Sequence, residues 1–304
     1  MPVLEVWKNR VKAIPFLAGP LRSWHSKVLG LMNPTVTHIR PRRGLPSLQL
    51  WEIWQYRDLL VTMAVRDFQI RYQQTILGVA WAILPTLMAG VFFMLFSRMA
   101  NLGSDQLPFA AFYFAAVIPW NFFSYILTQS SLSLTSNFNL LHKVYFPRLI
   151  LPLKSVMVGT VDMLMASSLI LGTMWYYGRW PGVNVLWLPV FLALALLTAF
   201  AIGLWIAALN VYFRDLANVL PYCLQLWFFM TPIIYSPMLV QPPWRSLMRL
   251  NPMASVVLGC RWCLFGVGDP PDLLLGAVFL LTLGLAIGGL YFFRKVERTI
   301  ADVV

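Results

Sequence analysis

Charged residues are scarce in this sequence of 304 residues. Asp, Glu, Lys and Arg together make up 11% of it, whereas about 25% is usual for a soluble globular domain. Hydrophobic residues make up 59%, and the mean hydropathy is +0.70. This composition excludes an ordinary soluble domain and indicates a membrane protein.

Motifs for catalysis and for metal or nucleotide binding are also missing. No glycine is followed by Lys, so the chain has no Walker A phosphate loop, and it has no H-E-x-x-H zinc motif. The acidic residues are scattered singly, which argues against a glycosyl or lipid-phosphate transferase. Cys260 and Cys263 form one C-x-x-C without a second pair or a nearby His, which is typical of packing thiols, although a redox or metal role stays open. We therefore expect no catalytic residues, no metal and no cofactor on this chain.

Long apolar runs are what the sequence has instead. A helix needs about 20 apolar residues to cross a hydrocarbon core of roughly 30 Å, and none of the runs alternates as a barrel strand would. We predict an all-α integral membrane protein with six transmembrane helices. The six predicted spans are Ile76–Ser97, Leu107–Leu132, Leu149–Tyr177, Val185–Phe213, Leu216–Val240 and Leu273–Phe293.

A further apolar segment, from Ser246 to Gly266, allows two interpretations. A seventh span would place the basic tail after the last span on the opposite side from the basic N-terminus. Asn251-Pro252 also interrupts the segment, and the residue before a proline disfavours helix. We therefore predict a periplasmic re-entrant helical hairpin between spans 5 and 6, with its interrupted backbone covered by protein.

The positions of the basic residues predict the orientation of the chain. All but five of the 23 Lys and Arg lie in the first 75 residues, after the last span, or in the turns on the same side. The positive-inside bias then makes both termini of a multi-pass membrane protein cytoplasmic. The five exceptions are Arg98, Arg179, Arg245, Arg249 and Arg261.

The predicted organisation has four parts. Residues 1–50 are a basic, irregular cytoplasmic arm, residues 51–75 an amphipathic interfacial helix, residues 76–293 the six-span domain and residues 294–304 a cytoplasmic tail. In the interfacial helix, apolar residues alternate with charged ones at helical spacing, which favours a position at the inner membrane surface. Its arginines would lie at the depth of lipid phosphates, either as anchors or as a binding site for a phosphorylated lipid.

Two short loops join spans on the cytoplasmic side, and neither is long enough to fold as a domain. The first loop, Ser133–Arg148, and the second loop, Val211–Val219, both combine aromatic side chains with charge. This composition is typical of contact surfaces. It suggests that both loops contact a cytoplasmic partner.

Asp162 is the acidic residue that falls near the middle of a predicted span, and an ionisable group there suggests a function. We expect it to form an interhelical hydrogen bond, with small neighbours as its partners: Thr160, Ser167 and Ser168. The alternative is a proton site in an ion-coupled secondary transporter. The spans offer no second carboxylate at that depth, which disfavours a proton relay.

Four segments resemble those of the membrane permeases in type-2 ABC exporters of polysaccharides, the O-antigen, capsule and teichoic-acid exporters. "VRDFQIRYQQTILGVAWAILPTL" resembles the start of their first span, and "NFNLLHKVYFPRLILPLKSV" resembles their first coupling segment. "LNVYFRDLANVLPYCLQLWFFMTPIIYSP" resembles their second coupling segment and fifth span, and "LNPMASVVLGCRWCLFG" their re-entrant helices. The four segments follow the family's order over about residues 50 to 295.

The resemblance implies a homodimer of permeases bound to two copies of a separate ATPase, which holds ATP and Mg. The function would be ATP-driven export of a lipid-linked polysaccharide, with a small-lipid or drug exporter as the alternative. Residues expected to dock the ATPase are Leu140, Leu141, His142, Lys143, Tyr145, Phe146 and Arg148 in the first loop, and Tyr212, Arg214 and Asp215 in the second. Lipid phosphates would bind Arg66 and Arg71. The expected channel wall comprises Tyr113, Trp120, Phe123, Trp227 and Phe229.

Overall fold

The computed structural model describes residues 50–72, 78–100, 107–141, 146–213, 215–241 and 243–303. Its regular elements within these ranges are helices, and no strand occurs there. The predicted all-α class is therefore confirmed for the described part of the chain. The arm at residues 1–49 lies outside it.

In the described part of the chain, two helices precede the first predicted span. Helix α1 comprises Leu50–Gln55 and helix α2 comprises Arg57–Tyr72. Met63 and Ala64 of α2 are buried and Leu60 and Phe68 are half-buried, whereas Arg66 is exposed. The helix predicted here is therefore present and packs some of its apolar residues against the protein, although Ile70 of the expected apolar set is exposed. Its position at the membrane surface stays a prediction.

Five helical segments within the described ranges are long and apolar enough to cross a membrane. Three match predicted spans within three residues at each end: α4 at Phe109–Ser131, α7 at Ile150–Tyr177 and α8 at Leu188–Asn210. A fourth, α12 at Leu273–Val303, begins where predicted and continues past the predicted end at Phe293. The fifth joins a short 3-10 helix, Gly78–Ala82, to α3 at Leu84–Ala100. The short helices α5, Ser133–Ser136, and α6, Phe138–Leu141, follow α4 within the first loop.

The segment predicted as the fifth span is shorter than expected. Its helix, α9, comprises Leu216–Met230 and has 15 residues, so it does not continue to Val240 as predicted. Thr231 adopts an extended conformation with φ −99° and ψ 133°, because the ring of Pro232 disfavours helix at the residue before it. A helix of 15 residues is about 22 Å long, which is less than the thickness of a hydrocarbon core.

The chain between α9 and the last span forms two more helices, separated at Asn251. Helix α10 comprises Trp244–Arg249 and helix α11 comprises Pro252–Phe265. The Asn251 side chain accepts a hydrogen bond from the backbone N–H of Met253 at 3.0 Å and so caps α11. Pro252 is the first residue of α11, a position at which proline is tolerated. The predicted interruption at Asn251-Pro252 is therefore confirmed.

Buried residues form two separate cores. The main core lies between α4, α7, α8, α9 and α11 and includes Phe123, Phe191 and Val257. The second core joins α2 to the end of the first loop and to the adjoining ends of α8 and α12, through Met63, Phe146, Leu204 and Phe293 among others. The first loop is thus packed against three helices.

Candidate functional site: a cavity with a charged end

A cavity of about 960 Å³ opens between the start of the first span and helices α4, α7 and α9. Its wall contains aromatic side chains from each of these elements except α7. They are Trp81, Trp120, Phe122, Tyr125, Phe228 and Phe229. Aromatic faces stack on the C–H faces of pyranose rings, so a wall of this kind can contact sugars without fixing their register.

Polar side chains of α4 form a stripe along the cavity. Asn121, Ser124, Tyr125 and Thr128 follow the i, i+3, i+4, i+7 spacing that places residues on one face of a helix. Asn121 donates to the hydroxyl of Thr86 on α3 at 3.1 Å. The sequence analysis missed this stripe, although its helical spacing within an apolar run was a signal that could have revealed it.

Charged residues meet at one end of the cavity. The guanidinium of Arg71, near the end of α2, lies 2.5 Å from one carboxylate oxygen of Asp162 on α7, and the Tyr72 hydroxyl donates to the other at 2.8 Å. Arg71 also lies over the ring of Tyr125 at 4.4 Å from the ring centroid, a distance at which a cation is attracted to the aromatic face. Burial and donation to Asp162 raise the pKa of Tyr72 above its ordinary value.

The expected partners of Asp162 were wrong. Thr160 and Ser167 donate instead to the backbone carbonyls of Val156 and Met163, one turn earlier on the same helix. Such local bonds satisfy hydroxyls in a helix without a tertiary partner. The predicted interhelical hydrogen bonding of Asp162 is present, but its donors are Arg71 and Tyr72 of α2.

A second ion pair joins the same two helices. Lys154 of α7 lies 2.7 Å from Asp67 of α2, and the Lys154 side chain is largely buried. In the first pair the base is on α2 and the acid on α7, whereas in the second pair the acid is on α2 and the base on α7. Asp67 and Arg71 are one turn apart on α2. This arrangement fixes the register of α2 against the third span.

The five predicted channel residues lie in different environments. Trp120 and Phe229 line the cavity. Tyr113 and Phe123 are 1% and 0% exposed and belong to the main core, so they do not line open space within the chain. Trp227 is half-buried, stands edge-on to Phe123, and donates to the Asn251 side chain at 2.9 Å. The channel between two chains stays a prediction.

The residues predicted to dock an ATPase also lie in different environments. Phe146 is 4% exposed and packs in the second core, whereas Tyr212 and Asp215 are exposed. Leu140 is half-buried, and Arg148 is half-buried against α12. His142, Lys143, Tyr145 and Arg214 lie outside the described residues, as does the side chain of Leu141. The docking role of the loops stays a prediction, but Phe146 and Arg148 face the chain's own helices.

The predicted phosphate-binding arginines are also in different settings. Arg66 is exposed on α2, whereas Arg71 reaches the cavity and is paired with Asp162.

Cys260 and Cys263 are buried in the main core. Among the described residues, no group of three or more His, Cys, Asp or Glu could hold a metal ion.

The chain is similar to a known protein family and to named proteins. The family model described as ABC-2 type transporter matches residues 58–265. The chain is 35% identical to an O-antigen export system permease protein RfbA of Myxococcus xanthus over 209 residues, which are 68% of this chain and 80% of that protein. It is 28% identical to a protein of the same name from Klebsiella pneumoniae over 250 residues, which are 81% of this chain and 95% of that protein.

Proposed function

This chain belongs to the ABC-2 type transporter family, and we propose that it is the channel-forming membrane subunit of an ATP-driven exporter of a lipid-linked, O-antigen-like polysaccharide. The two relatives named as O-antigen export permeases support this substrate class. In this proposal the protein is a multi-pass subunit of the bacterial inner membrane with both termini in the cytoplasm. Helix α9, despite its length, acts with the turns and the 3-10 helix Pro237–Leu239 after it as the fifth of six spans, and α10 and α11 form the periplasmic hairpin.

The energy for export comes from a partner in this proposal. The sequence contains no Gly-Lys pair and so no Walker A loop, and two copies of a separate ATPase would bind ATP and Mg. Two copies of the permease form the channel. The exposed side chains of Tyr212 and Asp215 support the second loop as one contact with that ATPase.

The observation that carries the substrate proposal is the cavity. Its aromatic wall and polar stripe suit sugar rings and their hydroxyls, and the guanidinium of Arg71 lies at one end. An arginine can bind phosphate oxygens through two parallel hydrogen bonds. Arg71 and the exposed Arg66 would therefore hold the phosphates of the lipid carrier where the glycan enters the cavity.

Depletion of the protein in cells tests the substrate class. We expect lipid-linked glycan to accumulate on the cytoplasmic side of the inner membrane, detected by mass spectrometry, while cellular ATP is unchanged. A polyprenyl-pyrophosphate polymer would indicate an O-antigen or teichoic-acid type of substrate, and a phospholipid-linked polymer would indicate capsule. If neither accumulates, the polysaccharide assignment fails and export of a small lipid or drug replaces it.

The ion-coupled alternative receives less support from the geometry. Its proton site would be Asp162, but both carboxylate oxygens of this residue accept hydrogen bonds from α2. The cavity lining contains no other carboxylate among the described residues. A transporter of this class would work without an ATPase, so transport that survives ATP depletion and stops when the proton gradient collapses would favour it.

A further inference from the structure

Helix α12 extends well beyond the length needed to cross a membrane. It runs from Leu273 to Val303 and has 31 residues, which corresponds to about 46 Å, whereas a hydrocarbon core is roughly 30 Å thick. The predicted tail is therefore helical as far as Val303. The helix also lies beyond the stretch matched by the family model, which ends at residue 265.

The end of the first loop is bound to this helix through Glu297. The backbone N–H of Arg148 donates to the Glu297 carboxylate at 3.3 Å, and the Arg148 guanidinium donates to the Glu297 backbone carbonyl. Arg294, one turn earlier on α12, donates to the other carboxylate oxygen at 3.0 Å. The side chains of Arg294 and Glu297 are only 8% and 16% exposed, so this charge cluster is largely shielded from water.

Apolar contacts lie around the charge cluster. Phe293 and Val296 of α12 are buried in the second core with Phe146 and Leu149, which flank Arg148 in the sequence. These contacts fix the position of the end of the first loop relative to α12, because buried side chains are close-packed and do not shift independently. One nitrogen of the Arg148 guanidinium is thus bound to its own chain, at the edge of this core.

We propose that the last turns of α12 form the seat of the first loop, and that Glu297 is the positioning residue that makes the loop and the final helix move as one unit. This inference rests on the proposed function, because it concerns how motion of the ATPase reaches the spans. Arg148 then transmits motion within the permease rather than docking the ATPase. The final helix becomes a route by which the loop's movement reaches the far side of the membrane.

A double-mutant cycle in the complete complex tests the proposal. Arg148→Ala, Glu297→Ala and the double variant would each be reconstituted with the partner ATPase in lipid vesicles. We expect each single substitution to lower substrate-stimulated ATP hydrolysis and export by about tenfold, because each removes one of the two hydrogen bonds between the loop and α12. The double variant removes both bonds, so its rates should be lower than those of either single variant. Asp58→Ala, which removes a carboxylate that is 95% exposed on α2, is the matched control and should leave both rates unchanged.

A covalent cross-link in place of the hydrogen bonds distinguishes a positioning role of these residues from a role in protein stability alone. In a Cys223→Ser background, Arg148→Cys and Glu297→Cys would be joined by a short dithiol-reactive linker. We expect export to be low before linking and to recover severalfold afterwards, with the amount of bound ATPase unchanged throughout. No recovery after linking, unchanged rates in either single variant, or a loss of bound ATPase in the Arg148→Ala complex would overturn the proposal.

The same assay keeps this inference apart from the proposed function. If the unsubstituted complex exports polysaccharide with ATP and Glu297→Ala does so equally well, the seat is wrong and the exporter assignment stands. If the unsubstituted complex moves no polysaccharide while ATP hydrolysis still responds to the double-mutant cycle as expected, the substrate assignment is wrong and the seat stands.

Discussion

At the scale of residues, the protein places ion pairs where an apolar helix meets a polar one. Asp162 accepts from both Arg71 and Tyr72 on α2. Removing one partner from such a cluster lowers the free energy of unfolding by more than the intact pair adds to it. The remaining charge is left without a partner in a place where it is largely shielded from water. The Arg71 side chain is 36% exposed and that of Asp162 is 21% exposed, so water reduces this cost without abolishing it.

Substitution of Asp162 tests the cluster. We expect Asp162→Ala to lower the free energy of unfolding by about 1–3 kcal/mol, because Arg71 and Tyr72 lose their acceptor together. Asp162→Asn should cost less, since its amide oxygen still accepts from Tyr72. Thermal unfolding of the purified protein in detergent would measure both changes.

The control for this prediction is the exposed Asp58, whose replacement by Ala should change stability by less than about 0.5 kcal/mol. Equal stability of Asp162→Ala and the unsubstituted protein would show that the pair between α2 and α7 contributes nothing.

At the scale of elements, the sequence predicted the helices that long apolar runs define and failed where local backbone chemistry decides. The predicted spans Leu107–Leu132 and Leu149–Tyr177 agree within two residues at each end with helices α4 and α7, because apolar length alone determines them. Helix α9 ends at Met230 instead of Val240. The signal was present in Thr231-Pro232, but the hydropathy of the run concealed it.

The candidate site was predictable only in part. Trp120, Phe229 and Arg71 were selected from the sequence and line the cavity. The pairing of Arg71 with Asp162 was missed, because the two residues are 91 positions apart and only tertiary packing brings them together. The burial of Tyr113 and Phe123 was missed for the same reason: an aromatic residue in a span can face lipid, a channel or a neighbouring helix.

Close contact between α11 and α8 gives a prediction at this scale. A Cβ added at Gly259 would lie 2.1–2.3 Å from ring carbons of Phe191, which is itself buried. We therefore expect Gly259→Ala to lower the free energy of unfolding by about 1–3 kcal/mol through overpacking. Thermal unfolding in detergent would again provide the measurement.

Gly276→Ala is the matched control, since this glycine is also within a helix and a Cβ there would contact nothing within 4 Å. Its effect should be neutral or slightly stabilising, because Ala has the higher helix propensity. If both substitutions had the same effect, the contact between Gly259 and Phe191 would not hold the two helices together.

At the scale of the whole molecule, the two cores separate the part that would contact substrate from the part that would receive motion. The cavity borders the main core, whereas the first loop, α2 and the end of α12 share the second. Helices α7, α8 and α12 are long, continuous elements, and they connect the second core to the rest of the protein. A displacement of the first loop would therefore be passed to several spans together.

The most direct test of this account is transport by the purified permease and its partner ATPase in sealed vesicles that contain lipid-linked polysaccharide. The appearance of the glycan on the opposite membrane face can be followed with a membrane-impermeant glycosidase. We predict that ATP makes the glycan susceptible to cleavage, that a non-hydrolysable ATP analogue does not, and that collapse of the proton gradient has no effect. Glycan movement that needs the proton gradient and proceeds without ATP would contradict the account.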